Sequence, residues 1–306
     1  MPLAIASGSR NYAGTWSAPK FAAKTVANFY GDSALELVTT TEYTNDLSKG
    51  GTEAIIPLDP VVEIYDIVKG ERRRIKECEP RIVTVPIDRQ KGFNIFVEDV
   101  DQVQGTFDFM ARAQVAGAAS LKRSLEQSVF ASLYGSASAY NRGATAGKLE
   151  GAYSLGVAGG SAVNFISSTT MPMQKVLECA AALDECDVPR DGKRFILLPP
   201  RAIQHLKLSP VGSAAEMGDG QSAIRKGVVG ELDGFTVIST TNLYKDTGGW
   251  HCIFGHRSAT AFCAQLRKVN RFNSEEYWGD VISAKTLYGF QCVVPEALGE
   301  LYIAFS

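Results

Sequence analysis

No apolar run in this 306-residue chain approaches the roughly 20 residues that a membrane-crossing helix needs, so nothing in it reads as a helical membrane span. Histidine is scarce, at three residues, and the six cysteines (Cys78, Cys179, Cys186, Cys252, Cys263 and Cys292) never form a CxxC pair. That spacing argues against zinc ribbons and thioredoxin-type dithiol sites, and leaves reduced core thiols as the expectation. An excess of one charge is missing too: 31 Lys and Arg face 33 Asp and Glu, a net charge of −2. Without a global positive field, a dedicated DNA-binding protein is disfavoured. The opening MPLAIASGSRNYAGTW carries neither the charged start nor the long apolar stretch of a signal peptide, so synthesis and residence in the cytoplasm are expected.

Catalytic signatures are absent as well. There is no GxSxG elbow and no HExxH helix. GVAGGS (156–161) is not GxGxxG and follows no strand. GATAGKLE (143–150) has the flavour of a phosphate loop, but its spacing is wrong and no Ser or Thr follows Lys148, so it reads as a flexible linker. HCIFGH (251–256) invites a metal assignment, yet strand alternation sends His251 and Cys252 to opposite sides. No catalytic residue, cofactor site or metal site is predicted.

What is present suits a folded protein: 45% hydrophobic and 21% charged residues. Residues 1–51 hold few apolar anchors, Trp16 and Phe21 among them, and read as an arm that must dock on something else. From Thr52 to Glu98 the chain turns to β: Ile55–Ile56, VVEIYDIV (61–68), RIVTVPI (81–87) and FNIFV (93–97), with Lys69-Gly70 as a hairpin tip. Arms of such a ribbon would reach about 30–45 Å, and a two-stranded ribbon is marginal alone. Its charged run ERRRIKECEPR (71–81) interleaves Arg72, Arg73, Arg74 and Lys76 with glutamates. Three readings stay open for it: a solvated tip, ion pairs with another subunit, or a nucleic-acid patch.

Residues 100–135 carry apolar or small side chains at Val103, Phe107, Met110, Ala111, Gln114, Ala118, Leu121, Leu125, Val129 and Leu133, one face of a helix about 50 Å long. Gly105 and Gly117 weaken it by about 1 kcal/mol each, so packing must hold it. A Gly/Ala/Ser-rich irregular connection (136–170) follows, then a helix from Met173 to Cys186, a strand at 195–199, a helix after Pro200, a loop at 211–227, and strands at 235–239, 252–254, 259–266, 282–290 and 301–305. There is no internal repeat, and the order fits an α+β fold.

Four stretches in this order carry a resemblance: IVTVPIDRQKGFNIFVEDVDQVQ (82–104), VPRDGKRFILLPPRAIQHLKLSP (188–210), GELDGFTVISTTNLY (230–244) and ISAKTLYGFQCVVPEALGELYIAF (282–305). Together they resemble the major capsid proteins of tailed bacteriophages, a fold shared with encapsulins and the herpesvirus capsid floor. The likeness spans about residues 30–306. It implies an α+β fold with an N-terminal arm (1–51), an extended β-ribbon loop (52–86), a peripheral domain on a long spine helix (87–166, helix 100–135), an axial domain (167–255), and peripheral strands with a closing strand returning to the axial domain (256–306).

The function so implied is self-assembly into the icosahedral shell around phage DNA, as pentamers and hexamers of one chain. No charged scaffold-like segment follows Met1, which implies a scaffolding protein in trans. A portal protein, a possible decoration protein and weakly, non-specifically contacted double-stranded DNA complete the implied partners; no membrane and no cofactor are among them. The location implied is the virion capsid, after assembly in the host cytoplasm. Arg72, Arg73, Arg74, Lys76, Trp16 and Phe21 are the candidate inter-subunit contacts. The alternatives are an encapsulin-type compartment shell and an enzyme with a cryptic site.

Overall fold

The computed structural model describes residues 34–40, 53–58, 64–66, 69–70, 81–98, 109–149, 151–166, 172–208, 230–274 and 278–305. The candidate contacts Trp16, Phe21, Arg72, Arg73, Arg74 and Lys76 lie outside them, as do Cys78, the loop 211–227 and the predicted start of the long helix.

Two sheets share one continuous apolar core. The smaller has three antiparallel strands, β3 (Arg89–Glu98), β9 (Thr260–Asn273) and β10 (Gly279–Cys292), with β10 in the middle. A long helix, Phe109–Leu133, lies on one face of it; a short helix, Ala34–Val38, precedes it in the chain, so the two are called α2 and α1. At 25 residues, the described part of α2 is about 37 Å long. It ends two residues short of the expected position, in a 3₁₀ turn at Tyr134–Ser136.

The expected stripe is the buried one: Gln114, Ala118, Leu121, Leu125, Val129 and Leu133 all face inward. Gly117 weakens the helix for a reason. A Cβ there would sit 2.7 Å from the ring of Phe93, so the glycine is what lets β3 approach. Beside that contact, Lys91 of β3 reaches Ser124 Oγ at 2.7 Å and Ser128 Oγ, and Arg89 reaches Ser132 Oγ at 3.4 Å. One serine per helical turn thus receives the cations of the strand, and burial lowers the Lys91 pKa.

The larger sheet has six strands in the order β4 (Val163–Asn164), β11 (Leu298–Ala304), β8 (Trp250–His256), β5 (Arg194–Leu198), β7 (Phe235–Ser239) and β6 (Glu231–Leu232). All five residues of β5 are buried, as an apolar run in a sheet covered on both faces demands. Helix α3 (Pro172–Glu185) buries Val176, Cys179, Ala180 and Leu183, and α4 (Pro200–Leu208) opens on the proline expected to start it. The glycine loop 156–161 serves packing. Gly156 has φ +87° and a Cβ there would collide with the carbonyl of Tyr302 on β11. The five described cysteines are free, buried thiols.

Buried polar residues join these parts. Glu126, in the middle of α2, accepts from the backbone N–H of Ala34 at 3.0 Å and from Asn242 Nδ2 at 2.6 Å, linking α1, α2 and the segment after β7. Glu126→Ala is therefore expected to lower unfolding free energy by about 1–3 kcal/mol, since it strands buried donors; an unchanged denaturation midpoint would contradict this. His251, 2% exposed, lies between two carboxylates: Nδ1 is 2.5 Å from Glu300 Oε1 and Nε2 is 3.4 Å from Asp246 Oδ2. Tyr134, just past the end of α2, stacks on its ring at 4.1 Å, so the cluster pins the helix end to the six-stranded sheet.

Three carboxyls are held below the usual range: Asp184 by hydrogen bonds from Arg190 and Arg194, Asp191 at about 2 by His256, and Asp246 by the Tyr302 hydroxyl. A group whose folded pKa is depressed contributes stability above its unfolded pKa, near 4, and loses it as pH falls through the folded value. The melting temperature is thus expected to fall between about pH 4 and pH 2, and less steeply in Asp191→Asn. A flat profile across that window would show that these carboxyls do not couple to folding.

Candidate assembly surfaces

Strands β1 (Glu53–Leu58) and β2 (Arg81–Pro86) form a separate antiparallel ribbon in which Leu58 pairs with Arg81. One face is satisfied at home: Ala54, Ile56 and Val85 pack on Ala261 and Cys263 of β9. Gly289 makes the approach feasible, because a Cβ there would collide with the carbonyl of Pro86. The other face is not. Ile55 is 62% exposed and Ile82 59%, and the ladder sets Ile82 opposite Pro57, one diagonal step from Ile55. Pro57 removes a ladder donor, tolerable in a ribbon with one pairing side free.

Beyond this base, the described residues Ile64–Asp66 form no strand, which corrects the expectation of a strand through 61–68. Ile64 is 96% exposed, and a two-stranded ribbon with no surface beneath it has little to hold a ladder. The turn at Lys69-Gly70 is where it was expected, with Gly70 at φ +95°. Lys69 follows Leu58 by 11 positions, and Gly70 precedes Arg81 by the same 11.

A second open surface lies at the far end of the three-stranded sheet. Phe96, Val281 and Phe272 stand side by side across β3, β10 and β9, on the face turned away from α2. Phe96 and Phe272 are exposed, and Trp278, next to the β9–β10 turn, is 86% exposed. Apolar side chains spread over two faces of an extended structure mark surfaces that another molecule covers.

Among the described residues the buried histidines are each taken up by neighbouring carboxylates. His251 is engaged by Glu300 and Asp246, and His256 by Asp191 at 2.8 Å and by Ser258. Burial raises the Cys252 thiol pKa well above its ordinary value. Among the described residues no group of His, Cys, Asp or Glu is placed to hold a metal ion. Sequence reasoning singled out the ribbon's charged run and missed Ile55, Ile82 and Trp278. A signal existed for two of these: the doublets Ile55-Ile56 and Ile82-Val83 put apolar side chains on both faces of one ribbon.

The comparisons agree with this architecture. The chain is similar in fold to a solved structure from Mycobacterium phage Che8 (TM-score 0.68, 21% identity, covering 98% of this chain and 97% of that one). It is also similar to the capsid structure of the cyanophage P-SCSP1u (0.66, 16%, 90% and 89%) and to a virus-like particle from Pyrococcus furiosus (0.53, 13%, 94% and 100%). No curated protein matches it. The sequence profile of the phage capsid protein family matches residues 75–289, well over half of the length. With the α+β capsid fold around its long helix, this chain belongs to the phage capsid protein family.

Proposed function

We propose that the chain is a major capsid protein whose copies tile into a closed icosahedral shell around phage DNA. The observation that carries this reading is the half-satisfied ribbon: one face docked on β9, the other offering Ile55 and Ile82 to solvent. A sister copy covers that face, and many such modest contacts, repeated around the shell, give it strength. Pentamers close the vertices and hexamers extend larger shells. The six-stranded sheet, drawn mainly from 167–255 with β4 and the returning β11 at its edge, forms the axial centre of each ring. The part on α2 and the three-stranded sheet (87–166 with the strands of 256–306) forms the periphery, residues 52–86 the extended loop, and residues 1–51 the arm. A scaffolding protein acting in trans, a portal and a possible decoration protein are the further partners. DNA is contacted weakly and without sequence preference, in keeping with a net charge of −2, because packaged DNA brings its own counterions. Assembly takes place in the host cytoplasm, and the product is the virion capsid.

Electron microscopy of the chain expressed alone, and then with its neighbouring genes, tests the proposal. Closed particles that require a second gene product support it. Uniform closed particles from the chain alone favour a compartment shell, a reading motivated by the likeness to the Pyrococcus furiosus virus-like particle. A chain that stays monomeric at high concentration under both conditions overturns both. Charge reversal at Arg72, Arg73 and Arg74 is expected to reduce particle yield at least several-fold without lowering the subunit's melting temperature. Unchanged yield would remove these residues from assembly.

A further inference from the structure

A cleft of about 200 Å³ opens where three parts of the fold meet: Thr40 after α1, Lys193 at the entry to β5, and the turn His256–Arg257–Ser258 between β8 and β9, with Ala261 and Val293 as its apolar wall. The meeting point is tightly built. Thr40 donates its backbone N–H to Thr260 and its hydroxyl to the carbonyl of Arg257, and it accepts from the N–H of Phe262. The N–H of Arg257 donates to the Lys193 carbonyl, and its Nε donates to the Thr39 carbonyl at 3.1 Å, so the guanidinium stem is fixed at the cleft.

The charge there is unbalanced. Among the described residues Arg257 has no carboxylate partner. Asp191, which reaches two of the lining residues, is already engaged by His256 Nε2 at 2.8 Å and the backbone N–H of Lys193 at 3.1 Å, with Lys193 Nζ 3.4 Å away. His256 Nδ1 accepts from the N–H of Ser258 at 3.3 Å and lies 2.7 Å from its hydroxyl, which holds the turn in place. Arg257, held at its stem, and Lys193, exposed and free to swing in, outnumber the one shared carboxylate, and the free Nη atoms of a guanidinium match the oxygens of a phosphate.

We propose that this cleft is a binding site for a phosphate group, free or carried on a nucleic-acid backbone. Bound there, phosphate ties the segment after α1, the six-stranded sheet and the three-stranded sheet to one another. The site goes beyond the shell reading and stands or falls separately from it, because its test needs no assembly.

The test is thermal unfolding of the full-length chain at neutral pH with inorganic phosphate, with acetate and sodium chloride at matched ionic strength, and with a short DNA duplex at equal phosphate concentration. For a dissociation constant of about 1 mM, roughly 10 mM phosphate is expected to raise the melting temperature by about 2 °C. Arg257→Gln and Lys193→Gln should each lose that shift. Lys193 is mostly exposed, so its variant folds normally and decides the matter even where the arginine variant does not. A shift with inorganic phosphate alone supports a free ligand, and one with the duplex as well supports the backbone as its source. The proposal is overturned if neither produces a shift, if acetate or chloride does as well as phosphate, or if Lys193→Gln keeps the full effect.

Discussion

A chain carrying Ile55→Glu and Ile82→Glu is expected to fold as stably as its parent and to yield at least ten-fold fewer closed particles. Both side chains point away from the patch on β9 and contribute little to the subunit's own core, so its melting temperature should move by no more than about 1 °C. On the proposed reading, a sister copy covers the same two residues in the shell. Burying an isoleucine is worth about 1.5–3 kcal/mol, and the loss recurs at every copy. A charge placed there must also be desolvated without a partner, which turns an attractive contact into a repulsive one. Sedimentation and particle counts against the parent measure the yield. Full yield would mean that the outward face of the ribbon stays in solvent throughout the shell's life, and the contact would have to be sought at Phe96, Phe272 and Trp278 instead.

Within the subunit, the largest single loss is expected from Arg194→Ala, at about 3–5 kcal/mol of unfolding free energy. The side chain is completely buried. Its Nη2 donates to Asp184 Oδ1 at 2.7 Å and to the carbonyl of Val188, and its Nε donates to the carbonyl of Pro189 at 3.1 Å. One guanidinium thus satisfies the turn between α3 and β5, where Asp187 adopts φ +58°. Alanine leaves two carbonyls without their donor and a void beside β5, with Asp184 held by Arg190 alone. Lysine is not expected to rescue it, because a point charge cannot reproduce the fork. Chemical denaturation monitored by circular dichroism measures the change, and a loss below about 1 kcal/mol would show that water replaces the guanidinium there.

The parts of the fold most legible in the sequence were those set by local periodicity. The stripe from Gln114 to Leu133 announced the buried face of α2, the run FILLP (195–199) announced a strand, found at Arg194–Leu198, and Pro200 announced the start of α4. Contacts between distant residues left no such trace. Nothing in the spacing of His251 and Glu300, or of Glu126 and Asn242, says that they meet, because those pairs are created by the stacking of strands and helices far apart in sequence. Gly117 read as a weakness of the helix and turned out to be the gap into which Phe93 fits. The ribbon was foreseen, with β at Ile55–Ile56 and 81–87, but the strand expected through 61–68 is not found at its described residues 64–66. Composition alone favours β across VVEIYDIV, whereas pairing is found at 53–58 and 81–86, where β9 supplies a surface to lean on. For the assembly surface, attention went to charge, the most conspicuous pattern, while the exposed isoleucines looked like ordinary core residues until their direction was known.

Because Ala54, Ile56 and Val85 are seated on Ala261 and Cys263, the base of the ribbon is anchored in one register, and its two faces cannot trade places. A single residue inserted inside Glu53–Leu58 would turn β1 over from that point on, carrying side chains meant for the outside onto the strand beneath and withdrawing those that hold the base down.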